Sequence, residues 1–191
     1  MMIGTFIVVM AFILFVGGVF VYCSNKIQTL DSAARDKGSE IDTNIWDRGY
    51  RLKLLVDILN GKGIEHSIEA PSSEGLALGM PPSMQEASAD SLDKMELALR
   101  AIIDERKDLM DDPDFKMNFT KFTTARKEMK TNSLNYNKCV ARYNGFISKF
   151  PGNVFASMYK KFSKARFNYI FIDLEQKSNP ADGIDLGDII G

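Results

Sequence analysis

The chain has 191 residues and a net charge of −1, which allows one modest domain plus an extension. A charge so close to zero excludes a polycation, so we expect no nucleic-acid partner. Hydrophobic residues make up 45% of the chain, but they are unevenly placed, and residues 1–23 carry no charge at all.

Residues 1–23 predict a retained membrane anchor. A helix rises about 1.5 Å per residue, so this length crosses a hydrocarbon core of about 30 Å. A cleavable signal peptide is disfavoured because no Lys or Arg precedes the apolar run. Lys26, Arg35 and Lys37 follow the run, which favours an N-terminus outside the cell membrane and a C-terminal body in the cytoplasm.

The chain after the anchor predicts a long helix and then a long loop. Apolar residues recur at spacings of three, four or seven from Ile27 to Leu59, which is one face of a helix, and Gly61 and Gly63 are typical of a helix C-terminus. Residues 61–90 contain scattered Gly and Pro and little periodicity, which indicates a loop insertion.

Two further helices are predicted between residues 91 and 150. The first begins near Ser91, and Asp112 followed by Pro113 predicts the N-cap and first position of the second. The second helix carries apolar residues at alternating spacings of four and three, as in a heptad seam, with Arg126 and Ser133 as polar interruptions. Tyrosines seven residues apart in this seam are expected to face the same neighbouring helix, with hydroxyls that need a partner.

After a break at Phe150 and Pro151, Asn153 is expected to cap a final helix that continues to residue 172. Residues 173–191 are acidic and rich in Gly, which predicts a poorly ordered tail. The elements together predict an all-α protein with an N-terminal transmembrane helix. An antiparallel bundle of three or four long helices should follow over residues 24–172, because short connections make neighbouring helices run in opposite directions. The seam could also face a second copy, so a homo-oligomer stays open.

The residue types give little support to catalysis. A di-iron bundle site needs two histidines, and His66 is the only one in the sequence. Cys23 and Cys139 belong to no metal or redox spacing. We therefore expect no metal, no cofactor and no enzymatic activity, and a function in binding.

The strongest charge signal lies between residues 129 and 172, which contain no Asp or Glu. One interpretation is a solvated face whose acids lie on the neighbouring helix 91–112. The other is contact with anionic lipid or an acidic protein partner, because basic residues near a membrane are attracted to its surface. The candidate contact residues are Lys149, Lys160, Lys161, Lys164 and Arg166.

Two stretches resemble the LemA family of small, membrane-anchored helical proteins. The C-terminal stretch is similar to the family motif of two Tyr-Asn pairs seven residues apart and a following Phe-Pro corner, with Gly152 where the family usually has Ser. The residues that fit are Tyr136, Asn137, Val140, Tyr143, Asn144, Ile147, Phe150, Pro151, Asn153 and Ala156. In the first helix, Ser39, Ile41, Asp42, Ile45, Arg48, Leu55, Val56 and Gly61 fit.

The resemblance implies a membrane anchor and a helical bundle, and it offers no catalytic residues. We therefore expect a single-pass protein that acts as a scaffold or adaptor at the membrane. The alternative is a membrane-tethered ligand sensor that relays to a separate partner protein. That alternative predicts a pocket lined by Tyr136 and Tyr143.

Overall fold

The computed structural model describes residues 2–69, 79–171 and 174. No strand occurs in these ranges, which confirms the predicted all-α class. The predicted tail lies outside the described residues, apart from Leu174. The helices are α1 (Met2–Gly61), α2 (Pro82–Glu105), a 3-10 helix (Lys107–Asp111), α3 (Pro113–Ile147) and α4 (Gly152–Met158).

The fold divides into two compact units, each assembled from distant parts of the chain. The first unit combines residues 1–41 with 131–167, and the second combines residues 42–130 with 168–191. The division therefore falls within α1 and within α3, and each of these helices contributes residues to both units.

Helix α1 changes character along its length. Its side chains from Ile3 to Tyr22 are exposed, except for the half-buried Val19. Within the described ranges, one helix, α1, is long and apolar enough to cross a membrane by length and composition. From Cys23 onward one stripe is buried, as the periodicity predicts. That stripe consists of Cys23, Ile27, Ala34, Ile41, Ile45, Leu52, Leu55, Val56 and Leu59.

The ends of α1 and α3 follow the predicted signals. Beyond Gly61 the chain turns through Gly63, whose φ of 66° is a left-handed conformation that favours glycine, and the N–H of Ile64 donates to the oxygen of Leu59. At the start of α3, Oδ1 of Asp112 accepts the N–H groups of the second and third helical residues at 3.0 and 3.1 Å. Both predicted boundaries are confirmed.

In the second unit, α3 runs antiparallel to α1. Nδ2 of Asn44 donates to Glu128 at 3.4 Å, and Arg51 donates to Oδ1 of Asn118 at 3.3 Å. The residue number rises along one helix as it falls along the other. Strict alternation of direction along the chain would have made this pair parallel.

Helix α2, in contrast, runs parallel to α1, so the expectation that all neighbours are antiparallel is wrong here. Gln85 near the start of α2 donates to Asp42 at 2.7 Å, and Glu96 further along accepts from Arg48 at 3.0 Å. The reason is the connection over residues 62–81. At about 3.3 Å per residue, this connection is long enough to run back along the roughly 36 Å length of α2. Helix α2 can then start beside the middle of α1 and run in the same direction.

Two predicted boundaries are wrong. Helix α2 begins at Pro82, well before Ser91, because Pro81 and Pro82 supply a helix start and Gln85 and Ala89 are buried helical residues. The predicted loop over 61–90 is thus shortened. The predicted final helix stops at Met158, and the chain from residue 161 to 171 is not helical.

Candidate functional site

Two asparagines of α3 bind the backbone of the non-helical segment in the first unit. We call residues 161–167 the strap. Asn144 donates to the oxygen of Lys164 at 2.9 Å and accepts its N–H at 2.8 Å. Asn137 donates to the oxygen of Phe167 at 2.7 Å and accepts its N–H at 2.9 Å. Each amide thus satisfies both backbone groups of one strap residue, which removes any need for a helix there.

The spacing of these contacts explains the repeated Tyr-Asn pair. Asn137 and Asn144 are seven residues apart, and seven helical residues rise about 10.5 Å. Lys164 and Phe167 are three residues apart, and three extended residues span about 10 Å. A heptad on the helix therefore matches every third residue of an extended chain.

The tyrosines of the motif face inward beside the same strap. The hydroxyl of Tyr136 donates to the oxygen of Ala165 at 2.9 Å, and burial raises the pKa of Tyr136. Tyr143 is 1% exposed, and Nζ of Lys164 lies 5.3 Å from its ring centroid. The predicted need of a buried tyrosine for a hydroxyl partner is confirmed for Tyr136, although the partner is the strap.

A carboxylate of α1 binds the two strap lysines. Asp31 accepts from Nζ of Lys161 at 2.9 Å and from Nζ of Lys164 at 2.7 Å. Burial alone would raise the pKa of Asp31, but the hydrogen bonds from Lys164 and Lys161 lower that pKa to about 2. The acid that faces these lysines is therefore on α1, whereas the sequence suggested helix 91–112.

The lowered pKa of Asp31 predicts an acid-sensitive strap. Because the pKa in the folded state lies below the ordinary 3.8, the carboxylate stabilises the fold at pH 4 and above. This stability is lost as the pH falls toward 2. We expect Asp31→Asn to lower the free energy of unfolding at neutral pH by about 2 kcal/mol and to flatten its pH dependence in this window. Denaturant titration of the full-length protein in detergent measures both effects.

The matched control for this prediction is Asp36→Asn, because Asp36 is exposed on the same helix. It should leave the free energy of unfolding unchanged within a few tenths of a kcal/mol. Equal losses for the two variants would contradict a special role of Asp31.

The remaining predicted contact residues and the corner of the motif lie at the surface. Lys149, Lys160 and Arg166 are exposed. Phe150 is 83% exposed. Asn153 does not cap α4: the helix has already begun at Gly152, and Oδ1 of Asn153 accepts from the N–H of Val154.

The fold gives a steric reason for the glycine at position 152, where the motif that this stretch resembles usually has Ser. A Cβ at this position would lie 2.2 Å from the backbone oxygen of Phe146, closer than any real Cβ contact. The close approach of the corner to the end of α3 therefore requires glycine in this chain.

A buried ionic cluster in the second unit is the main feature that the sequence reasoning missed. Nη2 of Arg48, a residue with no exposed surface, lies 2.9 Å from Asp93 and 3.0 Å from Glu96. Arg126 donates two hydrogen bonds to Asp93 at 2.8 and 2.7 Å, and Tyr169 donates a third at 2.7 Å. Asp93 is thus the centre of the cluster.

The electrostatics of the cluster follow from burial and pairing. Desolvation lowers the pKa of Arg48. Desolvation would raise the pKa of Asp93, but hydrogen bonds from Arg126 and the charge of Arg48 lower it. Desolvation and the hydrogen bond to Asp93 raise the pKa of Tyr169. The ion pairs join helices α1, α2 and α3. The sequence signal that could have revealed them is a charged residue, such as Arg48, at a position where the helical period predicts a buried side chain.

The described residues contain no group of three or more His, Cys, Asp or Glu side chains that could bind a metal ion. His66 lies 3.1 Å from Oδ1 of Asn60, in a local loop contact. Cys23 and Cys139 are both free thiols.

Comparison with known proteins finds no match: no family model, no curated protein and no solved structure matches this chain. The resemblance to LemA therefore stays a prediction from the quoted residues.

Proposed function

We propose that this chain is a single-pass membrane protein of the LemA type that acts by binding, as a scaffold or adaptor, and not by turnover. The observation that carries the proposal is the contrast within α1. Its N-terminal apolar stretch has a mean hydropathy of 2.7 and is 6% buried, whereas the rest of the same helix buries a regular stripe. Exposed apolar surface of that extent supports a lipid-facing segment.

The adaptor role is supported by what the rest of the chain presents. The polar side chains described above make internal contacts. Asn137 and Asn144 bind the strap, and Asp93 and Glu96 pair with arginines. Its exposed features are basic and apolar surface around α4. The orientation with the body in the cytoplasm is proposed from Lys26, Arg35 and Lys37 alone.

Extraction of membranes tests the anchor. The full-length protein is expected to stay in the pellet after alkaline carbonate treatment, because about twenty apolar residues remain inserted. The matched variant begins at Cys23, which keeps the buried Cys23 and Ile27 of the first unit, and it should move to the supernatant. Full-length protein that is soluble without lipid or detergent would end the proposal.

The ligand-sensor alternative has less support. The tyrosines expected to line its pocket are Tyr136 and Tyr143, and both lie against the strap. A ligand at this place would first have to displace residues 161–167. Ligand-dependent melting of the full-length protein would be its signature.

A further inference from the structure

Helix α4 lies beside the end of the apolar stretch of α1, within the first unit. The ring centroids of Phe20 and Phe155 are 5.4 Å apart, and those of Phe20 and Tyr159 are 6.3 Å apart. The hydroxyl of Tyr159 lies 3.1 Å from Oγ of Ser24. These contacts fix the level of α4 along α1 at residues 20–24.

That level coincides with the expected edge of the hydrocarbon core. A core of about 30 Å holds about twenty helical residues, so a span that starts at Ile3 ends near Tyr22. The sequence agrees, because the first charged side chain is Lys26. With the proposed anchor, helix α4 therefore lies at the level where acyl chains would meet headgroups.

The exposed surface of this region is mainly apolar, with Asn153, Ser157 and Lys160 as its exposed polar residues. We call residues 150–162 the apolar corner. Its inner side contains the buried Gly152 and Ala156, and Ala156 packs against Ile27 and Tyr143. Its outward side chains are large and exposed, at 83% for Phe150, 48% for Val154, 63% for Met158, 45% for Tyr159 and 78% for Phe162.

The charges around the apolar corner suit a lipid surface. Lys149 directly precedes the apolar corner and Lys160 lies within it, and both are exposed. No acidic residue occurs between residues 129 and 172. Apolar side chains flanked by lysines are typical of segments that lie in the membrane interface, about 5–10 Å deep. Tyrosine is favoured at the same depth, because one end of its ring is apolar and the other is polar.

We infer that the apolar corner inserts into the headgroup–acyl boundary of the same bilayer that α1 crosses. The inference rests on the proposed membrane anchor and adds a second, peripheral contact. Side chains of Phe150, Val154, Met158 and Phe162 enter the acyl region, while Lys149 and Lys160 contact phosphates. Lys161 and Lys164 take no part, because Asp31 binds them.

Depth-dependent quenching of tryptophan fluorescence tests the inference on the full-length protein. The native Trp46 is first replaced by Phe, and one tryptophan is then introduced as F162W or, separately, M158W. The protein is reconstituted in vesicles of phosphatidylcholine and phosphatidylglycerol, with and without phosphatidylcholine that carries bromine near the headgroup. We expect the bromine to lower the emission of both variants at least about twofold, because bromine quenches at contact and the corner lies within its depth.

Two further single-tryptophan variants serve as controls. L134W reports an exposed position of α3 in the same unit, about 20 Å along the helix before its end, and should be unquenched. F12W reports the apolar stretch of α1 and should be quenched by bromine placed deep in the acyl chain.

The outcomes separate the inference from the proposed anchor. Quenching of F12W without quenching of F162W and M158W overturns the inference and leaves the anchor in place. Quenching of L134W as strong as that of F162W also overturns it, because the contact would not be specific. Emission from F162W that shifts to the blue with protein concentration, without quenching, would assign the corner to a second copy. Absence of quenching for F12W removes the anchor and the inference together.

Discussion

Replacement of Asp93 by Asn is expected to lower the free energy of unfolding by about 3–5 kcal/mol. The change keeps the shape of the side chain but removes the charge that pairs with Arg48, which has no exposed surface, and with Arg126. A buried guanidinium left without full compensation is among the costliest defects that a substitution can produce. Chemical denaturation of the full-length protein in detergent, followed by circular dichroism, measures the change.

The comparison variant is Arg48→Met, which removes a charge from the same cluster. Asp93 then still pairs with Arg126, and Glu96 still pairs with Arg100 at 2.9 Å. The methionine fills the space beside Phe122, over which the guanidinium lies at 4.8 Å. We expect a loss of about 1–2 kcal/mol, clearly smaller than that of Asp93→Asn. The reverse order would show that Asp93 is not the centre of the cluster.

Replacement of both Asn137 and Asn144 by Ala is expected to release the strap. Four hydrogen bonds to the backbone are lost, at a cost of about 1 kcal/mol each, or about 4 kcal/mol in all. Because the strap carries Lys161, Lys164 and Arg166, its release should make these positions susceptible to trypsin. We expect cleavage there at least about tenfold faster than in the unchanged protein, since 1.4 kcal/mol already corresponds to tenfold in an opening equilibrium.

Two controls make this result specific to the paired contacts. Asn144→Asp keeps the oxygen that accepts the N–H of Lys164 but loses the donor, so its cleavage rate should be intermediate. Asn153→Ala changes an exposed asparagine whose side chain accepts from the adjacent N–H of Val154 and does not contact the strap, and it should cleave as the unchanged protein does. Rapid cleavage of this last variant would indicate general loosening instead of strap release.

Much of the fold could be predicted from periodicity and helix boundary signals. The buried stripe of α1 from Ile27 to Leu59 and the N-cap at Asp112 are local patterns, and local patterns are visible in a sequence. The direction of α2 is not local. It depends on how far residues 62–81 carry the chain, and composition alone shows only that a connection of this length exists.

In the candidate site, too, local features could be predicted from the sequence and contacts between distant residues could not. The sequence marks Asn137 and Asn144 as a repeat, and it indicates correctly that their tyrosine neighbours face inward. It predicts a helix where the strap lies, because Phe162, Tyr169 and Ile172 recur at helical spacing. The helix does not form because the amide groups of α3 offer the strap backbone equivalent hydrogen bonds, a tertiary effect that overrides local propensity.

The discontinuity of the first unit has a consequence for biogenesis. Its two parts, residues 1–41 and 131–167, are separated by 89 intervening residues, 42 to 130. At about 5–20 residues per second, a ribosome needs roughly 4–18 s to synthesise that interval. During this time the apolar side chains of Ile27 and Leu30 on α1 have been synthesised, but the part of α3 that packs against them has not. The stripe of the first unit therefore stays uncovered until residues 131–167 have been synthesised.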